Sequence, residues 1–395
     1  MHAVKFLDNI LRRSCPAVHA VRLEAILSAI PALVNGRRLS IAGVGRALPP
    51  GSKTKHRIKK IDRLVGNPHL ALERQTLYRA LAQLLIGTRP RPVLLVDWSD
   101  ARVDRSLQLL RASIAVDGRS VTLYEEVHPL SLYDNRAVRE RFLARLRDCI
   151  PASCRPIVIT DAGFRVSWYR QIEAMGWDWI SRVRGRALYR TASSQAWSPV
   201  SSLYAGARTK PSAVGQILLT QDGQHACQLY RVRARKQGRT DRTVYGKRRQ
   251  DKRSRECARR QTEPWLLATS LRELKAEKIC KLYSYRAQIE GTFRDVKNAQ
   301  WGLQLNAHRT RTGKRLESLV LLGTLAAFVA YLTGLAGAAL NLQREYQANT
   351  SKRRVLSYVY LGLELLRDAD RRLCITHIRE ALVELTNRIA AAEPA

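Results

Sequence analysis

Two short apolar runs, each ending in an aspartate, constrain the fold of this 395-residue chain more than any other feature. The run "PVLLV" precedes Asp97, and the run "PIVIT" precedes Asp161. Continuous apolar runs of this length, bounded by turn residues, are typical of buried strands. Strand patterns and helix-period patterns alternate around them, which predicts an α/β fold with a mixed sheet. Two aspartates at strand ends are expected to meet at the carboxyl edge of that sheet, although a lone aspartate there usually forms a turn or a helix cap.

A group of polar residues further along the chain has the spacing of one helix face. Its members follow at steps of three, four and seven residues: Tyr283, Arg286, Glu290 and Lys297. On one helix of about 3.6 residues per turn they would form a single narrow stripe. A solvated face with helix-spaced ion pairs has the same appearance. Together with the two aspartates, the glutamate of the stripe would give three carboxylates, which can hold two Mg²⁺ or Mn²⁺ ions. The neighbouring cations of the stripe could then bind phosphates.

The charge of the chain indicates a polyanionic partner. Lys+Arg number 69 against 33 Asp+Glu, a net charge of +36. Such an excess on a chain that is 45% hydrophobic favours nucleic acid, bound in a salt-sensitive manner. Basic residues crowd a predicted helix within residues 52–70: Lys53, Lys55, Arg57, Lys59 and Lys60. We expect this helix to lie on DNA, and a solvated basic face is the alternative.

The cysteines and one long apolar stretch indicate where in the cell the protein is expected to be located. Seven cysteines form no Cys-x-x-Cys pair, which argues against a disulfide framework or a zinc site and favours the cytoplasm. Residues 318–340 carry no charge and are long enough to span a bilayer. In so basic a chain we expect a buried core helix there and no membrane partner.

The motifs together resemble a known family. "VDWSD" at Asp97, "TDAGF" at Asp161 and the pattern Tyr-x2-Arg-x3-Glu-x6-Lys over residues 283–297 are similar to bacterial cut-and-paste insertion-sequence transposases. These are DDE transposases with the YREK signature, of the insertion-sequence-four type. The similarity extends to "LRASIAVDGRSVTLYEE", "SRVRG", "EPWLLATS" and "QANTSKRRVLS", and so covers most of the chain. It implies a ribonuclease H-like core with a β-rich insertion between the second aspartate and the glutamate.

The resemblance also implies roles for single residues. The catalytic metal ligands would be Asp97, Asp161 and Glu290, holding two Mg²⁺ ions, or Mn²⁺ in their place. The residues that contact phosphates near the transposon end would be Tyr283, Arg286 and Lys297. Trp265 falls on the position where a flipped base stacks, and a core tryptophan is the alternative. The chain departs from the family pattern at "LNAHRTRT", so no role is assigned to His308.

The predicted activity is DNA transposition through nicking, hairpin formation, hairpin opening and strand transfer. Its partners would be double-stranded transposon ends, target DNA and a second copy of the chain in the DNA complex. A two-metal nuclease or resolvase would share the carboxylates but join nothing. An inactive DNA-binding inhibitor of transposition is a third alternative, and the intact carboxylates count against it.

The predicted helix and strand patterns, together with the resemblance, divide the chain into five regions. The first is a helical DNA-binding region, 1–85, and the second is the first part of the catalytic core, 86–185. A β-rich insertion, 186–270, is followed by the core helix that carries the glutamate, 271–300. The last region, 301–395, is predicted to be helical.

Overall fold

The computed structural model describes residues 2–185, 187–233, 247, 249–252, 254–256, 262–368 and 373–394. These residues form two compact units. Unit 1 comprises Met1–Cys154 and Ala287–Glu393, and unit 2 comprises Arg155–Arg286 with Pro394–Ala395. The stretch between the strand patterns of the insertion, residues 236–260, lies largely outside the described residues.

The helices and strands of the described part of the chain are numbered separately, each in chain order. The helices are α1 (His2–Ser14), α2 (Ala20–Gly36), α3 (Ile41–Ala47), α4 (Thr54–Val65), α5 (Pro68–Ile86), α6 (Arg136–Cys149), α7 (Val166–Glu173), α8 (Ala276–Ser284), α9 (Ala287–Lys297), α10 (Gly313–Ala339), α11 (Tyr358–Arg367) and α12 (Ile375–Ala392). The strands are β1 (Val93–Asp100), β2 (Leu107–Ala115), β3 (Ser120–Pro129), β4 (Ile157–Thr160), β5 (Asp178–Val183), β6 (Leu188–Thr191), β7 (Ser198–Pro199), β8 (Ser212–Leu219), β9 (His225–Val232) and β10 (Trp265–Thr269).

Unit 1 contains an antiparallel meander of β1, β2 and β3. Every residue of β2 is buried, because helices cover the sheet and β2 lies between its two neighbours. In the β1–β2 register Asp97 lies opposite Arg111, and in the β2–β3 register Arg111 lies opposite Glu125. The β2–β3 turn contains Gly118 at φ +69°, a backbone conformation that glycine adopts without steric cost.

The long apolar helix α10 is the centre of the helical core of unit 1. It is long and apolar enough to cross a membrane, and 94% of its apolar stretch is buried inside the protein. The helix packs against α2, α11 and β3. Gly334 lets the α11 backbone approach closely, since a Cβ there would collide with the carbonyl oxygen of Tyr358. Burial against these neighbours makes α10 a core helix, as the sequence predicted.

Unit 2 is built on a mixed sheet with the strand order β4-β5-β10-β9-β8-β6-β7. Strands β4 and β5 are parallel, and α7 connects them, as a parallel connection requires. The other pairs are antiparallel. Tyr169 of α7 stacks on Trp179 of β5 with ring centroids 3.9 Å apart, which fixes the helix on the sheet.

The predicted fold class is confirmed: an α/β protein with a mixed sheet and a β-rich part, flanked by helical N- and C-terminal regions, consistent with a ribonuclease H-like core. One local expectation is wrong. The four-residue stripe does not lie on one helix, because α8 ends at Ser284 and α9 begins at Ala287. Backbone bonds from Tyr285 N–H to Leu282 and from Arg286 N–H to Tyr283 span three residues, which ends the four-residue ladder of α8.

Candidate active site

Asp97 lies near the end of β1, where the strand leaves the core. The four residues before it are buried, and Asp97 itself is half-buried. Its Oδ1 accepts a hydrogen bond of 2.8 Å from the backbone N–H of Trp98. The carboxylate therefore lies at the border between the sheet core and solvent, on a rigid element, as catalytic geometry requires.

Helix α9 carries Glu290 in its first turn, and several polar contacts fix this helix over the meander. Gln288 Oε1 accepts a 2.8 Å hydrogen bond from the backbone N–H of Val116, and Thr292 Oγ1 accepts one of 3.1 Å from Ser120 N–H. Asp295 forms a 2.7 Å ion pair with Arg119. The apolar side of α9 is buried, whereas Glu290 is exposed. The helix thus presents the Glu290 carboxylate to solvent from a fixed backbone.

Lys297, in the last turn of α9, reaches the end of β1. Its Nζ donates a 2.6 Å hydrogen bond to Ser99 Oγ, two residues beyond Asp97. The pKa of Lys297 is lowered to about 8. Burial is the largest cause and Arg111 acts in the same direction, while Asp100 and Asp97 act in the opposite direction. Unit 1 therefore brings Lys297 beside the Asp97 segment, as the predicted site requires.

Arg111 is a member of the site that sequence reasoning missed. Its guanidinium lies 4.7 Å from the centroid of the Phe293 ring of α9, and Lys297 Nζ lies 5.6 Å from the same centroid. The Arg111 side chain is 1% exposed and lies opposite Asp97 in the sheet register. A buried arginine thus supports both the strand of Asp97 and the helix of Glu290. The sequence signal was a single charge in the middle of an otherwise uncharged strand.

Glu125 neutralises this arginine within a buried polar network. Its Oε2 accepts a 2.7 Å hydrogen bond from Arg111 Nε, and Arg111 Nη2 lies 2.7 Å from the same oxygen in an ion pair. Its Oε1 accepts bonds from the hydroxyls of Tyr78, at 2.9 Å, and Thr324, at 2.5 Å. Arg74 donates a 2.9 Å bond to the Glu125 carbonyl oxygen. The network connects α5, β2, β3 and α10, and so ties the flanking helices to the strands next to the site.

Unit 2 holds the second predicted aspartate. Asp161 directly follows β4 and is half-buried. Its Oδ1 accepts a 2.8 Å hydrogen bond from Gly163 N–H, and its carbonyl oxygen accepts a 3.0 Å bond from Ser181 Oγ. These bonds fix the turn that carries the carboxylate. The position at a strand end is the one that the sequence predicted.

Unit 2 also holds the predicted stacking tryptophan and two residues of the polar group. Trp265 opens β10, is half-buried, and packs edge-on against Tyr283 at 5.1 Å between ring centroids. Tyr283 is 4% exposed. Arg286 lies in the turn after α8 and is half-buried. Tyr283 therefore supports the Trp265 ring from its edge, a contact that the sequence pattern did not suggest.

The donor chemistry of the predicted ligands fits a hard divalent cation. All three side chains, from Asp97, Asp161 and Glu290, offer carboxylate oxygens, which Mg²⁺ and Mn²⁺ prefer. Within the described residues no three His, Cys, Asp or Glu side chains are grouped as a preformed metal cluster.

The predicted basic helix is present as α4. Its lysines project into solvent: Lys53 at the N-cap, then Lys55, Lys59 and Lys60. Arg57 is half-buried and donates hydrogen bonds to Thr54 Oγ1, at 3.0 Å, and to the carbonyl oxygen of Leu48. Three lysines of α4 and Lys53 can therefore meet a polyanion directly, while Arg57 is engaged by the protein itself.

Comparison with protein families identifies a domain that covers more than half of the chain. The model of the transposase DDE domain matches residues 88–329, from just before β1 into α10. No curated protein matches the chain.

Proposed function

The chain belongs to the DDE-domain transposases, and on that premise we propose that it is a cut-and-paste insertion-sequence transposase with the YREK signature. The observation that carries the proposal is the arrangement at the end of β1. There Lys297 of α9 bonds to Ser99 beside Asp97, and the same helix presents Glu290 to solvent. A carboxylate and an ammonium group on rigid neighbouring elements suit a phosphodiester substrate.

We assign metal binding to Asp97, Asp161 and Glu290, with two Mg²⁺ ions, or Mn²⁺, as the ions they would hold. Bound there, the ions would supply Lewis-acid activation and stabilise charge on the phosphate. Lys297 has three N–H donors, of which one is used by Ser99, so two remain for phosphate oxygens. Its ammonium group also compensates the negative charge of the carboxylates in the absence of substrate.

The proposed reaction has four phosphoryl transfers. Water attacks phosphorus at the element end and releases a 3′-hydroxyl. That hydroxyl attacks the opposite strand, which forms a hairpin and frees the flanking DNA. A second water opens the hairpin, and the regenerated 3′-hydroxyl attacks target DNA and displaces a target 3′-oxygen. Each step breaks one P–O bond and forms one P–O bond, so a single set of residues can serve all four.

Trp265 is proposed to stack on a base that leaves the helix during hairpin formation. Its half-exposed ring has Tyr283 against it at 5.1 Å, which limits its rotation and presents a rigid flat surface. Trp265→Ala is expected to spare the first nick and to reduce hairpin yield, measured on denaturing gels. An unchanged hairpin yield in the folded variant would leave Trp265 as a packing residue.

The complex is proposed to contain two chains and two DNA ends. A chain with a net charge of +36 repels its own copy, and bound DNA neutralises much of that charge. We therefore expect a monomer without DNA and a dimer with it, as measured by light scattering at matched salt. A complex with one chain per cleaved pair of ends would contradict this.

The direct test is a nicking assay with Mg²⁺ on duplexes that carry the inverted repeats flanking the gene. Asp97→Ala, Asp161→Ala and Glu290→Ala are each expected to abolish nicking while the duplex remains bound. Glu140→Ala is the matched control and should nick as the wild type does, because it removes an exposed carboxylate of unit 1 that lies on α6, outside the proposed site. Retained nicking in any of the three variants would overturn the assignment, and nicking without joining would identify a nuclease.

A further inference from the structure

A cleft of about 660 Å³ in unit 1, separate from the residues assigned above, is lined by arginines. We name it the arginine cleft after its five arginines: Arg38, Arg46, Arg309, Arg311 and Arg315. The first two come from the region around α3, Arg309 and Arg311 come from the segment that leads into α10, and Arg315 lies near the start of α10. Hydroxyl groups of Ser40, Thr310 and Thr312 also line it, and none of its lining residues is acidic.

The charge of the cleft is largely uncompensated. Arg315 is held by the carboxylate of Asp62. The other four arginines are exposed, and none of them forms an ion pair with any residue that the structure describes. Four guanidinium groups facing a concave surface repel one another, and an anion that entered would relieve this repulsion.

The wall of the cleft is fixed by His308, to which the sequence gave no role. His308 Nδ1 accepts a 3.2 Å hydrogen bond from Thr310 N–H, so Nε2 must carry the ring hydrogen. Nε2 therefore donates its 2.9 Å bond to the carbonyl oxygen of Ala101. Burial lowers the pKa of His308, which keeps the ring neutral and preserves both bonds. Arg102 adds a 3.1 Å bond to the Thr310 carbonyl oxygen.

This anchoring places the arginine segment next to the residues that follow β1. Ala101 comes directly after the strand that carries Asp97. Four residues of extended chain span about 13 Å, and neighbouring nucleotides of one strand are about 3.4 Å apart along the helix axis. The cleft wall therefore begins about four base pairs from Asp97 along a duplex lying in this direction.

We propose that the arginine cleft binds the phosphate backbone of the duplex whose scissile bond is at Asp97, a few base pairs away from that bond. Guanidinium groups bind phosphate oxygens bidentately, and the threonine and serine hydroxyls add neutral donors. A concave, acid-free wall suits a curved polyanion, and backbone contacts of this kind set register without reading sequence. The inference rests on the proposed function, since it takes DNA as the ligand.

The test compares two double variants that remove equal charge. Arg309→Gln/Arg311→Gln removes two arginines of the cleft. Arg13→Gln/Arg379→Gln removes two exposed arginines of α1 and α12 that also form no ion pair among the described residues. Binding to a short duplex with the element end is measured over a KCl series. The slope of log K against log[KCl] is negative, and each lost phosphate contact reduces its magnitude by about 0.9.

In the cleft variant the magnitude of this slope is expected to fall by about 1.8, and in the control variant by about zero. Equal slopes for both variants would overturn the proposal. Competition with inorganic phosphate separates the ligand sources: if low-millimolar phosphate binds the wild type and the cleft variant loses only this binding, the cleft is a small-anion site and the proposal is wrong. If the wild type nicks DNA but the cleft and control variants have equal slopes, only the proposal for the cleft is wrong. If the slopes of the two variants differ but the wild type does not nick DNA, only the proposed reaction is wrong.

His308→Ala provides a second arm, because it removes the anchor without removing a charged group at neutral pH. The variant is expected to weaken duplex binding and reduce the magnitude of the slope while all five arginines remain. Circular dichroism and thermal melting report whether it is folded. A folded variant with wild-type slope would show that the fixed wall contributes nothing to binding.

Discussion

Truncating Glu125 should destabilise unit 1 severely, because it leaves a buried arginine without its counter-ion. Glu125 and Arg111 are each 1% exposed and form an ion pair at 2.7 Å that includes a hydrogen bond from Arg111 Nε. In Glu125→Leu the Arg111 guanidinium stays in the core unpaired, since Phe293 covers it. The hydroxyls of Tyr78 and Thr324 lose their acceptor in the same substitution.

The magnitude follows from these losses. Removing one partner of a buried ion pair costs about 3–5 kcal/mol, and each buried hydroxyl left without an acceptor adds about 1–3 kcal/mol. Local rearrangement recovers most of the second cost and leaves about 1 kcal/mol of it, because a hydroxyl can rotate toward a backbone carbonyl. We therefore expect a loss of about 4–6 kcal/mol, a large share of the about 5–15 kcal/mol that stabilises a typical domain.

The double variant Glu125→Leu/Arg111→Met is the matched control. It removes both charges and keeps the volume apolar, so its loss should be smaller than that of Glu125→Leu alone. Hydrogen exchange of the β2 and β3 amides measures the free energy of opening in unit 1 itself. A loss below about 1 kcal/mol in the single variant, or a double variant whose loss equals the sum of both singles, would refute the buried-pair reasoning.

Three further predictions concern a pH profile, acid stability and packing. DNA affinity should fall by up to about tenfold per pH unit above pH 8, where Lys297 loses its proton. The affinity of Lys297→Arg should not change between pH 7 and 9, and equal pH profiles of the two proteins in a binding titration would contradict this. Burial alone would raise the pKa of Glu126, but hydrogen bonds from His128 and Tyr124 outweigh it and hold the pKa at about 2. Because the folded pKa is depressed, this stability is present above pH 4.5 and is lost as pH falls toward 2. About 2 kcal/mol of it should be lost between pH 5 and pH 3, which urea unfolding at these two pH values tests against Glu126→Gln. Gly334→Ala should lower stability by about 3 kcal/mol or prevent folding, because its methyl group would meet a backbone carbonyl of α11 that cannot move aside; a melting temperature within a degree of wild type would contradict it.

The sequence predicted those parts of the molecule that depend on local pattern. The strands before Asp97 and Asp161 were recognisable because uninterrupted apolar runs between turn residues form buried strands in almost any context. The helix over residues 318–340 was also predicted from an uninterrupted apolar stretch. Composition alone does not distinguish a membrane span from a core helix. Burial by α2, α11 and β3 makes that distinction, and it depends on distant segments.

The parts that the sequence did not reveal depend on tertiary contacts. Arg111 and Glu125 read as ordinary strand charges, since their partnership follows from register and from hydroxyls on α5 and α10. The role of His308 depends on a carbonyl group about two hundred residues earlier in the chain. The break between α8 and α9 has no proline or glycine to mark it, so periodicity extended one helix through Tyr285 and Arg286.

In the proposed function, one set of carboxylates both cuts and joins DNA. The most direct measurement is a single-turnover time course with Mg²⁺, in which a labelled element-end duplex is incubated with a circular target and the products are separated on denaturing gels. The proposed function predicts a nicked strand, then a hairpin, then an opened end, then a product covalently joined to the target, all four absent in Glu290→Ala. Nicked product that accumulates in the wild type without any hairpin or joined product would contradict it.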